Sequence, residues 1–186
     1  MKKGHLFILS GPSGVGKGTV RQVLMQETDL HLFYSISMTT RSPRKGEENG
    51  REYYFVTREE FQNNVKRGNL LEWTEFVGNC YGTPKDKVEE MLESGKNVLL
   101  EIEINGAMEV LSKCPEAISI FLYPPSFEAL EARIRGRCTE GEETIQRRLA
   151  KARSELQMEG KYAHRVCNDS VERAAGEIAS IIRSVS

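Results

Sequence analysis

Apolar positions along the chain gather into short, nearly unbroken runs separated by stretches of helical spacing. Runs at 5–10 (HLFILS), 33–37 (FYSIS), 97–104 (NVLLEIEI) and 117–123 (AISIFLY) have strand length, and a weaker one lies at 164–168 (HRVCN). Unbroken apolar runs suit strands buried on both faces of a parallel sheet. Helices are predicted over 17–27, 106–113 and 126–135, following the first, third and fourth runs. A last helix over 170–184 carries Val171, Ala174, Ala175, Ile178, Ile181 and Ile182 at helical spacing. Strands alternating with helices predict an α/β sheet with helices on both faces.

Two segments break the alternation. Residues 38–84 begin with a polar, Pro/Gly-rich stretch over 39–55 (TTRSPRKGEENGREYYF). A helix capped by Thr57, with Glu60 three residues on, follows it. An aromatic stretch over 70–82 (LLEWTEFVGNCYG) completes what reads as an inserted subdomain. Residues 125–159 are Arg-rich and helical. Thr139 and Glu142 are spaced as a capping box ahead of the stripe Ile145, Leu149, Ala152 and Leu156. Two helices flanking 136–141 (GRCTEG) predict a hinged flap. The expectation is one domain with a core over 1–36, 85–124 and 160–186, an insertion over 37–84 and a flap over 125–159.

Composition adds mostly exclusions. The 186 residues are 39% hydrophobic and 28% charged, an ordinary balance for a soluble globular chain. A net charge of −1 gives no global pull toward nucleic acid or an anionic membrane, so any bound anion must be held by a local cluster of donors. No stretch approaches the roughly 20 apolar residues of a membrane span. The opening Met1-Lys2-Lys3 is followed by an apolar run too short for a signal peptide. Cys80, Cys114, Cys138 and Cys167 lie far apart, with no C-x-x-C pair, and read as free thiols in a reducing compartment. A cytoplasmic chain is expected.

The first strand runs directly into GPSGVGKGT at 11–19. Gly11, Pro12, Ser13, Gly14, Val15, Gly16 and Lys17 fill the first seven places of G-x-x-x-x-G-K-[ST], a loop whose amide N–H groups wrap phosphates. The helix that follows adds its positive end, and Lys17 adds a mobile charge for the outer phosphates. The eighth place should hold a hydroxyl; here it is Gly18, and the hydroxyl comes one residue later as Thr19. No N-K-x-D motif accompanies the loop, which argues against a regulatory GTPase. A kinase would need a second substrate site on the same chain. Arg41 and Arg44, separated by the rigid Pro43, can bring two planar forks onto one phosphate, and Tyr53 and Tyr81 can donate to it. Arg133 and Arg137, four apart, share a helical face in the flap, with Arg148 on the partner helix.

The segment at 34–55 (YSISMTTRSPRKGEENGREYYF) resembles the GMP-binding segment of guanylate kinases, S-x-S-x-T-T-R-x-P-R-x-G-E-x-x-G-x-x-Y. Each fixed place is met, by Ser35, Ser37, Thr39, Thr40, Arg41, Pro43, Arg44, Gly46, Glu47, Gly50 and Tyr53. The resemblance continues at Glu72-Trp73 and through 78–83, 99–107, 124–126, 135–140 and 168–169, nearly the whole chain. Gly-Lys-Gly-Thr is itself the form of the loop in many nucleoside monophosphate kinases.

This resemblance implies a P-loop NTPase-type parallel sheet core carrying a GMP-binding subdomain and a helical lid. It implies phosphoryl transfer from ATP, with Mg2+, to GMP or dGMP. Ser37, Arg41, Arg44, Tyr53, Glu72, Tyr81, Thr83 and Glu103 would bind GMP, with Glu72 accepting from the guanine edge. The loop from Gly11 to Thr19, together with Asn168, would bind ATP. Lys17, Arg41, Arg44, Arg137 and Arg148 would act on the transferring group, and Thr19 and, through water, Glu101 would serve the metal. The chain departs from the family's pattern at Cys80, Cys138 and Asn105. Two other readings remain open: a non-catalytic module on the same fold, and a P-loop kinase for another acceptor such as AMP.

Overall fold

A computed structural model describes residues 2–137 and 141–185. Its central sheet is parallel throughout, built from β1 (Leu6–Ser10), β2 (Leu32–Tyr34), β7 (Asn97–Glu101), β8 (Ile118–Tyr123) and β9 (His164–Cys167) in the order β2-β7-β1-β8-β9. The period-2 pleat sends alternate side chains of β1 to opposite faces. Phe7 and Leu9 enter one core with Val20, Leu24, Leu130, Leu149 and Ile178. Leu6 and Ile8 enter the other with Val88, Leu92, Val110 and Phe121. Because both faces are covered, all five residues of β1 are buried, which is why its sequence reads as an unbroken apolar run.

Helices α1 (Lys17–Leu24), α5 (Phe127–Arg137), α6 (Glu142–Leu156) and α7 (Val171–Val185) cover the first face, and α3 (Lys85–Glu93) and α4 (Ile104–Lys113) the second. The stripe expected on α6 is present: Ile145, Leu149 and Ala152 are buried, with Leu156 partly so. Ala174, Ala175, Ile178 and Ile182 of α7 are buried as expected.

The insertion folds as a second sheet. Strands β3 (Met38–Thr39), β4 (Tyr54–Phe55), β5 (Leu70–Phe76) and β6 (Asn79–Pro84) lie in the order β4-β3-β6-β5, with β5 and β6 antiparallel. Helix α2 (Arg58–Lys66) opens on the expected box, Thr57 and Glu60 capping each other's backbone. Phe61, Leu70 and Cys80 form a small core of their own.

Several local expectations need correction. The run at 97–104 is strand only to Glu101; Glu103 is the extended N-cap of α4, so a helix begins where strand was expected to continue. In the run at 33–37, residues 35–37 leave the sheet. Helix α3 was not anticipated; Val88 and Leu92 are buried on it and Met91 packs partly beside them. The aromatic stretch at 70–82 is the β5–β6 hairpin. Gly141, not Thr139, is the N-cap of α6. Thr139 and Cys138 lie outside the described residues. Cys80, Cys114 and Cys167 are free thiols.

Candidate functional site

Two adjoining cavities open at the carboxyl ends of the central strands, where ligands of open α/β sheets sit. One, of about 240 Å³, is lined by Gly11, Ser13, Lys17 and Glu155; the other, of about 380 Å³, by Ser37, Tyr53, Glu72 and Tyr81, and both include Glu101, Ile102 and Glu103.

The first belongs to the glycine-rich loop between β1 and α1. Gly16, the N-cap of α1, has φ +101, and a Cβ there would fall 2.7 Å from Asn168 Nδ2, so only glycine fits this turn. The first turn of α1 carries no acidic side chain, leaving its N–H groups free to meet an anion. Lys17 folds back over the loop and donates from Nζ to the carbonyls of Gly11 at 2.7 Å and Pro12 at 3.3 Å. Burial pulls its ammonium below the usual lysine range, against the opposing pull of Glu101, Glu155 and Glu103. The loop already receives a carboxylate, since the Ser13 N–H donates to Glu155 Oε2 at 3.3 Å.

Two side chains that face the loop from behind fix its curvature. Asn168, 3% exposed at the end of β9, donates from Nδ2 to the Val15 carbonyl at 2.7 Å. Arg133 on α5 donates to the same carbonyl at 3.1 Å and to the Asn168 carbonyl at 2.9 Å. The helical spacing had grouped Arg133 with Arg137 as charge for the transferring group; instead these contacts commit its guanidinium to the loop's scaffold. The Asn168 Oδ1 is buried without a partner.

In the second cavity the key strand is irregular. Leu70 pairs with Pro84 but Trp73 with Gly82, so β5 carries one extra residue between them. A bulge of this kind re-aims a side chain, and Leu70, Leu71 and Glu72 are consecutively buried where a regular strand would alternate. Glu72, 7% exposed, thereby points into the cavity, with Oε1 accepting from the Thr83 hydroxyl at 2.6 Å. Burial pushes its carboxyl above the usual range, and the Thr83 bond opposes this only in part. Its Oε2 has no protein donor among the described residues. It is a buried acceptor facing an open space.

Arg41, on the turn after β3, does not line this cavity itself but lies over Tyr53, which does. Its guanidinium meets both oxygens of Glu47, at 3.0 and 2.9 Å, and lies 5.3 Å from the centre of the Tyr53 ring. Tyr53 and Tyr81 meet edge to face at 6.0 Å. Glu47 Oε2 also accepts from the Arg44 N–H at 2.8 Å, so one carboxylate fixes both arginine positions while the Arg44 side chain stays exposed. Thr39 and Thr40 hold this segment on β6: the Thr39 hydroxyl donates to the Cys80 carbonyl and the Cys80 N–H to the Thr40 hydroxyl, each at 2.9 Å.

Between the cavities, Glu101 Oε2 pairs with Arg21 at 2.6 Å, and Arg21 stacks on Tyr34 at 4.0 Å. Glu101 Oε1 reaches toward Gly18, within 3.7 Å of where a Cβ would sit. Glu103 is exposed and lies 3.4 Å from Lys151 of α6. Thr19 is exposed on the first turn of α1. Among the described residues no group of three His, Cys, Asp or Glu could hold a metal alone. Arg148 is exposed on α6, and the Arg137 side chain lies outside the described residues.

The sequence did not single out Arg21, Glu155 or Gly106, nor Glu47 beyond its place in a motif. Glu47 was legible only as a fixed place in the 34–55 segment; the others reveal themselves through long-range contacts.

Comparisons with known proteins bear on the family and the fold. The guanylate kinase family model matches residues 3–185. The chain is 52% identical to a guanylate kinase of Oceanobacillus iheyensis, covering 98% of this chain and 88% of that one. It is 52% identical to a guanylate kinase of Mesoplasma florum over 97% of its own length, and there it spans 61% of the relative. The crystal structure of guanylate kinase from Anaplasma phagocytophilum superposes with a TM-score of 0.77 at 32% identity, covering 100% of this chain and 87% of that one.

Proposed function

Since the chain belongs to the guanylate kinase family, we propose that it transfers the γ-phosphate of MgATP to GMP, and to dGMP. The observation that carries this reading is the pair of adjoining cavities, one walled by an anion-binding loop and the other floored by a buried carboxylate with an uncommitted oxygen.

Guanine presents ring N–H and amino donors on one edge, which a carboxylate can accept. Adenine presents an acceptor at the ring position, and would leave the Glu72 carboxylate buried and unsatisfied, at a cost of about 1–3 kcal/mol or more for a charged group. Ser37, Thr83 and Glu103 complete the base side, and Arg41, Arg44, Tyr53 and Tyr81 hold the phosphate. Glu47 holds the Arg41 guanidinium through both oxygens before GMP arrives. The acceptor phosphate needs no general base, because its second pKa lies near 6 and it is largely ionised at neutral pH. The chain's task is to hold two polyanions in line and offset their repulsion.

On the donor side, the free N–H groups of the loop from Gly11 to Thr19, where Pro12 has none to give, and the Lys17 ammonium receive the ATP phosphates, displacing the Glu155 carboxylate from Ser13. Asn168 serves the nucleotide's other end. Thr19 and, through water, Glu101 are the residues that would hold magnesium. When bound, the ion neutralises charge on the phosphate oxygens. Arg137 and Arg148, carried by the helices over 125–159, supply further positive charge as the lid closes and water is excluded. The reaction places the chain in guanine nucleotide recycling, with the cytoplasm as its expected compartment.

A coupled assay of ADP release with MgATP, comparing GMP with AMP, CMP and UMP, tests the reading. Turnover with GMP alone, lost in Lys17→Ala and in Arg44→Ala, is the expected result. GMP binding without ADP release would make the chain a binding module, and a preference for AMP would overturn the role of Glu72.

A further inference from the structure

Gly106 occupies the first turn of α4 without a left-handed backbone, so conformational freedom is not what the position needs. Glycine inside a helix is less favourable than alanine by about 1 kcal/mol. Something else must favour the missing side chain. A Cβ built there would fall 2.8 Å from Glu72 Oε2, 3.2 Å from its Cδ and 3.3 Å from its Cγ. All three nearest atoms belong to one side chain, 34 residues away in the sequence.

That side chain has no easy retreat. Glu72 is buried, the bulge in β5 sets its direction, and the Thr83 hydroxyl fixes Oε1 at 2.6 Å. The oxygen lying against Gly106 is the uncommitted Oε2. A methyl group at 106 would therefore move the carboxylate rather than the helix, because the end of a side chain yields more cheaply than a packed backbone.

We infer that Gly106 is a positioning residue for guanine recognition: its empty side-chain position lets the Glu72 carboxylate lie on the first turn of α4 with Oε2 at the height of the guanine edge. The inference rests on Glu72 being the acceptor for the base. It extends the specificity machinery from the inserted sheet to the core helix beneath it. A larger residue at 106 lifts the carboxylate out of register with the donors of the base while leaving the ATP site untouched.

The test is a double-mutant cycle of Gly106→Ala and Glu72→Asp, reading the KM for GMP, the KM for ATP, kcat and the melting temperature. Gly106→Ala should melt at or above the parent chain and keep the KM for ATP within about twofold. Its KM for GMP should rise about tenfold or more, the scale of one misplaced bond to a charged group. In Glu72→Asp the carboxylate is withdrawn by one methylene, the methyl at 106 meets nothing, and adding Gly106→Ala should cost less than about twofold. Equal penalties in the two backgrounds, or a lower melting temperature with no selective effect on GMP, would overturn the inference. A Glu72→Gln chain with an unchanged KM for GMP would remove the parent reading and this inference with it. A large effect of Glu72→Gln with none from Gly106→Ala removes the inference alone.

Discussion

Replacing Glu72 by Gln should weaken substrate binding and strengthen the fold, two effects of opposite sign from one atom pair. The shape is conserved and the Thr83 hydroxyl, now 2.6 Å from Oε1, keeps an acceptor. What changes is the cavity-facing oxygen, an acceptor that becomes an amide donor opposed to the donors of guanine. Losing a bond to a charged group costs about 1.5–3 kcal/mol, or roughly a 10- to 150-fold rise in the KM for GMP. On the stability side, burial raises the Glu72 carboxyl above its ordinary value of 4.5, more than the Thr83 bond lowers it. A carboxyl that titrates higher in the folded state disfavours folding once ionised: the penalty is absent below the unfolded value and complete above the folded one. Glutamine removes it. The gain should show as a higher melting temperature at neutral pH. The gap between variant and parent should open as pH rises from the ordinary value of 4.5. Steady-state kinetics with GMP and ATP, paired with thermal melts at pH 4.5 and 7.5, read both effects. An unchanged KM for GMP would refute the assignment of the base acceptor. A variant less stable than the parent at neutral pH would refute the burial argument.

Three further outcomes are expected. Glu47→Gln removes the carboxylate that fixes Arg41 through both oxygens, and should raise the KM for GMP several-fold while sparing that for ATP, as steady-state kinetics would show. Gly16→Ala forces a side chain into φ +101 and to 2.7 Å from Asn168 Nδ2; denaturant melts should show a loss of about 1–3 kcal/mol, and the KM for ATP should rise with it. Arg135 grips Glu142 across the α5–α6 connection and holds its carboxyl down to about 2. The pair's contribution is present above the ordinary value of 4.5 and is lost as pH falls through about 2, which carbon-detected NMR titration of the Glu142 carboxyl would follow.

Much of the molecule is written locally. The apolar runs of β1, β7 and β8 identify buried parallel strands because a strand covered on both faces needs no polar side. The loop from Gly11 to Lys17 and the arginines at 41 and 44 are legible for the same reason: their chemistry depends on spacing within a few residues. The capping box at Thr57 and the stripe on α6 are equally local. Helix α3 has an apolar face of its own, Val88, Met91 and Leu92, but at nine residues it offers one short i, i+3, i+4 repeat amid charged positions, and it was not picked out.

What only the tertiary structure decided is where those local pieces meet. Sequence placed Glu103 on a strand, but the turn into α4 makes it a helix cap, since Ile104 and Ala107 must bury against the sheet. Arg133 follows its helical face to the Val15 carbonyl, 118 residues away, and braces the loop. The bulge that turns Glu72 inward exists only through the register of β5 against β6. The room that carboxylate occupies exists only because Gly106, on another element, lacks a side chain. Periodicity and motif spacing record what each segment needs from its immediate neighbours. Contacts between distant segments are fixed by how the two sheets and their helices pack together, and no local pattern encodes that.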